Sequence, residues 1–573
     1  MNKSPSHRNT ITSLLASLLF PVASWAQTPS GLWINPNSTN SYSDASKWTA
    51  IGGALPGGGV PGPTNDAYIF DGTLQVGAGG NFNPQQLIMG WESFHVGEFL
   101  QTGGSTRTES WTKVGIAGNQ VFNQSGGTYS AGDLAVGWIN PATSSVGVGV
   151  MNLSGGTFES RAATFIGLEG ATGTVNISGG TYNATGNVWG SFRIADYGTG
   201  TGTVNLSGTG VVNASLYTAV GGSGNGTLNI SGGTWNQASG GIVVGDAADL
   251  AWTGRGDVNQ SGGTVNADYI LLQKGTYNLD GGTLAAFGVA DTKAETTGVF
   301  NFNGGTLRAR DNNADFIRGD TVEIKSAGGT IDSSDKQVRV LQGMTGAGGL
   351  TKTGSGILKL DGANTYSGTT TVSEGTLTVN GSVAGGVNVA SGSVLKGSGT
   401  IGGASTVAGT LSAGNSPGLI SFSSDLTLTN GSNLLWELFG NTSSDVLTFD
   451  RIDVGGNLLA LAGSGITLDF GTTAGGSVVD WDDAFWSSDQ DWTFLTVDGT
   501  TTGFSELSLL NSSFLDANGS SLADARSGAT FSLRQSGSDV LVSYAVPEPG
   551  TASLLLMGLA CWALVRAGWR HSA

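Results

Sequence analysis

The chain has 573 residues, 97 of them glycine, with 42 Asp or Glu against 24 Lys or Arg and a formal net charge of −18. That balance excludes nucleic acid as a partner, because such a surface repels phosphate, and glycine without a strict third-residue period excludes collagen. With 38% hydrophobic residues the glycines read as turns in an ordered β protein, and a single cysteine, Cys561, leaves no intrachain disulfide.

Residues 1–26 carry Lys3 and Arg8, then an apolar run from Ile11 to Val22, then Ala23-Ser24-Trp25-Ala26. A basic start, an apolar middle and small residues at the cut site are expected to form a secretory signal peptide, so the protein is expected to be exported. Residues 27–100 are punctuated by Trp33, Trp48, Pro56, Pro61 and Pro63. They are expected to be an N-terminal cap and first coils, because a stack of β-coils must cover its first open edge. Tryptophan at such positions either packs the cap or grips sugars; packing is the reading adopted.

Residues 101–310 hold the repeat that sets the fold. An apolar residue, Asn, a third residue and then Ser-Gly-Gly-Thr or a near copy recur at Asn123, Asn152, Asn176, Asn205, Asn229, Asn259, Asn278 and Asn301, at intervals of 19 to 30 residues. Each unit reads as strand, Gly-Gly turn, strand, loop, and a third short strand ending in Gly, as at Phe165-Ile166-Gly167. The period predicts an all-β chain folded as a parallel β-helix, with equivalent positions stacked about 4.8 Å apart. Tyr129, Phe158, Tyr182, Trp235, Val265, Leu284 and Leu307 then form an internal column. The eight asparagines stand between apolar neighbours and face the other way, where amides can bond from coil to coil. That row is either structural pairing, the reading adopted, or a surface for a linear glycan.

Residues 311–425 change code. Gly348-Gly349-Leu350-Thr351-Lys352-Thr353-Gly354-Ser355-Gly356-Ile357-Leu358-Lys359-Leu360 leads through Asn364-Thr365-Tyr366-Ser367-Gly368 to Gly375-Thr376-Leu377. This stretch resembles the autotransporter-associated β-strand repeat of secreted bacterial β-helices, and Gly409 to Gly418 resembles a segment common downstream of it. The resemblance implies a passenger-like β-helix. Residues 426–546 carry strand-like runs at irregular spacing, expected to be a β-sandwich-like region or the last coils. Within them Asp480 to Trp492 packs five Asp and three Trp into 13 positions. The spacing fits no EF-hand loop, so a turn anchored by tryptophans is expected, and no metal site.

Residues 547–573 open on Pro547-Glu548-Pro549, continue in an apolar segment from Thr551 to Val565, and end with Arg566 and Arg570. Physics alone reads a short hydrophobic helix with a basic end, a transient anchor in the inner membrane. The three-part order resembles the PEP-CTERM sorting signal of Gram-negative bacteria. That resemblance implies an exosortase as partner, passage to the cell surface or the extracellular space, and association with exopolysaccharide. The tail stands where an autotransporter has its membrane barrel, so it is expected to serve for sorting in its place.

Catalysis finds little support in the residues. Gly414-Asn415-Ser416-Pro417-Gly418 has the Gly-x-Ser-x-Gly spacing, but Pro417 has no N–H to offer an oxyanion. With both ends removed, His95 is the one histidine left. A β-helical polysaccharide lyase or glycoside hydrolase needs a focused carboxylate pair, whereas Asp133, Glu169, Asp196, Asp246, Asp249 and Asp268 are scattered along the coils. The expected function is therefore an exported structural or adhesive β-solenoid, with no cofactor and no enzyme activity; the alternative is the glycan-active enzyme.

Overall fold

The computed structural model describes residues 30–33, 39–51, 59–140, 142–186, 192–195, 197–245, 254–290, 297–319, 321–415, 417–443, 448–471, 478–546 and 562. The expected signal peptide, 1–26, lies outside them. So does the C-terminal helix expected over 547–573, apart from Trp562, which is helical and exposed. Among the described residues no helix is long and apolar enough to cross a membrane. The chain divides into two compact units, Met1–Arg308 with Gly319–Thr321, and Ala309–Arg318 with Val322–Ala573.

The first unit is a parallel β-helix. One coil is formed by Thr172–Ile177, Thr181–Ala184 and Phe192–Ile194. The next is formed by Thr201–Leu206, Val211–Ala214 and Thr218–Val220. Each strand pairs in parallel with its counterpart one coil on, giving three sheets around one core. Alternation explains the fold: in Thr172–Ile177 the residues Gly173, Val175 and Ile177 are buried while Thr174 and Asn176 face outward. The internal column is continuous, running Tyr129, Phe158, Tyr182, Val212, Trp235, Val265 and Leu284 in register, and every member is at most 1% exposed. Buried tyrosine hydroxyls find threonines: Tyr129 bonds Thr112 at 2.8 Å and Tyr182 bonds Thr164 at 2.7 Å.

The second glycine of each turn is required by the stacking. Gly156 has φ +76, and a Cβ there would lie 2.4 Å from the carbonyl oxygen of Gly127 in the coil before. The first edge is covered by Trp48–Ile51, which pairs antiparallel with Ser30–Trp33, itself parallel to Asp66–Ile69. Trp33 and Trp48 meet edge to face at 5.2 Å and are 2% and 7% exposed. They pack the cap.

The second unit repeats the plan with shorter coils. Gly329–Asp332, Leu350–Thr353, Thr370–Val372 and Val387–Val389 pair in parallel along one sheet. Gln337–Val340, Ile357–Leu360, Thr376–Val379 and Val394–Gly397 do so along a second. Residues 426–546, expected to be sandwich-like or the last coils, continue this pairing as coils through Ser508–Leu509. Their irregular spacing comes from long insertions between strands; Trp481 and Trp486 of one insertion pack in an aromatic cluster with Trp436, Trp492 and Phe531 of the strands and with Phe470. The sandwich-like element reduces to a closing layer: Asp539–Ala545 pairs antiparallel with Gln490–Val497 and with Thr530–Ser536. Antiparallel strands end the parallel stack and occupy its last edge.

Candidate functional site

The eight asparagines occupy one column on the outer face of the first sheet. The amide nitrogen of each donates to the amide oxygen of the one before: Asn152 to Asn123, Asn176 to Asn152, Asn205 to Asn176, Asn229 to Asn205, Asn259 to Asn229, Asn278 to Asn259 and Asn301 to Asn278, all at 2.8 to 2.9 Å. All N–H groups point toward the N-terminal coils and all carbonyls away, so the side-chain dipoles align and polarise one another. The donor end meets a carboxylate. Asn123 donates to Glu98 at 2.6 Å, and Thr73 donates to the other Glu98 oxygen at 2.8 Å. An anion at the positive end of aligned amides is the arrangement that favours acids at helix N-termini.

Glu98→Ala is accordingly expected to lower unfolding free energy by about 2 to 3 kcal/mol, through two lost charge-assisted bonds. Glu98→Gln, which keeps an acceptor without the charge, should fall between it and the wild type. Urea unfolding checks this, and a Gln variant as stable as the wild type would remove the role of the charge.

A second ladder escapes a reading that follows the first motif alone. Asn213 donates to Asn183, Asn236 to Asn213 and Asn266 to Asn236, at 2.8 to 2.9 Å, on the outer face of the second sheet. Its signal is the residue two places after the one that follows each glycine turn. Ser130, Glu159 and Ala285 occupy the same column and interrupt the pattern. Interior turns use longer side chains. The Gln124 amide reaches Gly127 and Thr157 carbonyls at 3.3 and 3.0 Å, and in the second unit the Lys352 ammonium bonds the carbonyls of Thr353, Gly354 and Glu374 at 2.8, 2.7 and 3.0 Å. Burial pushes Lys352 down to about 8.

The groups weighed for chemistry are engaged structurally. His95 is 9% exposed; its Nδ1 accepts from the backbone N–H of Glu92 at 3.1 Å, and its ring stacks on Phe70 at 4.6 Å. Asp133 accepts from the Ala163 N–H, and Glu169 from the Trp138 indole, both at 2.9 Å. Asp196, Asp246 and Asp249 lie outside the described residues. In the Asp-Trp segment, Trp481, Trp486 and Trp492 are fully buried. There Asp480 and Asp483 cap the backbone N–H of Asp482 and Phe485 at 2.9 and 2.8 Å, while Asp491 pairs with Arg534 at 2.6 Å. Among the described residues no group of three or more His, Cys, Asp or Glu side chains is placed to hold a metal ion. The sorting residues Pro547, Glu548, Pro549, Arg566 and Arg570 lie outside the described residues.

In-register coils, amide ladders and closed ends define a β-helical repeat protein. The comparisons with known proteins point the same way. Residues 350–379, which include the Lys352 coil, match the model of the Passenger-associated-transport-repeat. Over 241 residues the chain is 29% identical to the adhesin BmaC autotransporter of Brucella suis biovar 1 (strain 1330). That similarity covers 42% of this chain and 6% of the relative, so the chain spans only a small part of the protein it matches.

Proposed function

We propose that this protein is an exported adhesive or architectural β-solenoid, shown at the cell surface or released outside the cell, that binds exopolysaccharide weakly along many coils. The carrying observation is that the coils repeat in register, held by seven amide bonds, so that each outward face recurs from coil to coil. Such a face presents one weak contact many times and gains avidity without a single deep site. The passenger-type repeat and the similarity to an autotransporter adhesin support the same reading. In it the Pro547-Glu548-Pro549 tail, with Arg566 and Arg570 behind it, holds the chain briefly in the inner membrane until an exosortase cuts it.

Replacing Pro547, Glu548 and Pro549 by alanine is expected to leave the tagged full chain in the inner-membrane fraction and to abolish cell attachment to polysaccharide-coated surfaces. Normal surface appearance of the variant would sink the sorting role. Release of reducing or unsaturated sugars by the purified wild type would replace the adhesive reading with the enzyme.

A further inference from the structure

The third sheet of the first unit carries one outward column between two inward ones. On the inward side Thr112 and Val114 are buried, and Thr112 reaches the core hydroxyl of Tyr129. On the other side, Ile88, Lys113, Ala135, Phe165, Arg193 and Ala219 follow one another in register, one per coil; Lys113 and Phe165 are half-buried, and the other four are buried beneath their neighbours. Nothing in their spacing along the chain reveals the column, because the loops between coils differ in length. Aromatic rings gather beside it. Trp111 lies 5.3 Å from Trp138 and 6.0 Å from Phe165, and Phe165 lies 6.1 Å from Tyr197.

The two cations of the column lie against these rings. The Lys113 ammonium is 5.0 Å from the Trp138 ring and 5.5 Å from Trp111. The Arg193 guanidinium is 5.0 Å from Tyr197 and 5.1 Å from Tyr217. Trp111, Trp138, Phe165, Tyr197 and Tyr217 are each half-buried, with part of each side chain open to solvent. Carboxylates are interspersed: exposed Glu169 holds the Trp138 indole at 2.9 Å, Asp133 neighbours Trp111 in register, and one buried oxygen of Asp66 has no hydrogen-bond partner among the described residues.

We propose that this outer face of the third sheet is a binding platform for a neutral, linear polysaccharide lying along the coil axis. The proposal rests on the adhesive reading and names its site and ligand class. Half-open rings offer faces to the C–H surfaces of sugars. The exposed Glu169 carboxylate and the half-buried Lys113 and Asp133 beside them bring charge of both signs, which suits hydroxyl groups that both donate and accept. The mixture of signs disfavours a polyanion. Charge recurring between the rings also disfavours a protein partner, which prefers an interface core depleted of charge. The coil rise of about 4.8 Å is close to the advance of one pyranose unit in an extended chain, so successive coils meet successive sugars.

The test uses the full chain in affinity gels containing hydroxyethyl cellulose, laminarin or alginate. Retardation by a neutral glucan is expected, with a hexaose binding at least tenfold more tightly than the disaccharide. The pair Trp111→Ala and Phe165→Ala should weaken binding at least tenfold, while Asn213→Ala on the second sheet leaves it unchanged. Retardation by alginate alone, by no probe, or equally in the double variant would overturn the platform. Should the double variant fold poorly, the wild type decides: saturating hexaose must shield tryptophan fluorescence from acrylamide, and unchanged quenching overturns the proposal. Cell attachment separates the two readings. Attachment that survives in the double variant refutes the platform and leaves adhesion standing; a wild type that binds glucan in gels without promoting attachment refutes adhesion and leaves the platform.

Discussion

Replacing Asn152, Asn205 and Asn259 together by alanine is expected to destabilise the first unit more than replacing Asn176, Asn205 and Asn229, although both variants lose three asparagines. The ladder makes the difference. Each asparagine in its middle donates one bond and accepts one, so alternate members share no bond and their loss removes six. Consecutive members share two bonds, so their loss removes four. At about 1 kcal/mol per bond the alternate variant falls by about 6 kcal/mol and the consecutive one by about 4. A single Asn205→Ala loses two bonds, about 2 kcal/mol. Urea unfolding and amide exchange of the first sheet would measure the order. Equal losses in the two triple variants would mean that the amides bond to water as well as to one another, and the column would be a register mark without energetic weight.

How much of this is legible in the sequence depends on what repeats locally. The first ladder is visible because Asn precedes a glycine turn by a fixed step, and the turn itself is obligatory: a Cβ at Gly156 would collide with the coil before. The internal column is legible except at Val212, where Ser207-Gly208-Thr209-Gly210 replaces the usual Ser-Gly-Gly-Thr and displaces the count by one residue. The second ladder is obscured where Ser130, Glu159 and Ala285 take its positions. The outward column of the third sheet is hidden altogether. Lys113, Phe165 and Arg193 share no residue type, and the loops that separate them vary in length, so only strand pairing reveals that they are neighbours. In 426–546 the coils persist, but long insertions between their strands break the period that a reader would follow.

The stability of the second unit is expected to fall as pH rises from about 4 to about 8, and Asp450 is the reason. Its side chain is fully buried and accepts from the backbone N–H of Gly418 at 2.9 Å and of Glu437 at 3.2 Å. Burial pushes its pKa up to about 8; the Glu437 and Asp469 carboxylates, on neighbouring coils in register, push the same way, and the two N–H bonds oppose them. In the unfolded chain the group titrates near 3.8. Across that window the folded protein therefore holds a proton that the unfolded chain has released, and each rise in pH favours unfolding. The full swing is on the order of 5 kcal/mol. Asp450→Asn cannot titrate, and because its amide offers one acceptor oxygen, one N–H loses its partner at a cost of about 1 to 2 kcal/mol. At pH 4 the variant is thus expected to be less stable than the wild type, and at pH 9 more stable. Lys352, which titrates near 8 in the same unit, is present in both proteins and cancels from the difference. Curves that cross between these limits place the proton on Asp450; parallel curves would mean that the carboxylate is ionised throughout and that a neighbour, not protonation, balances its charge.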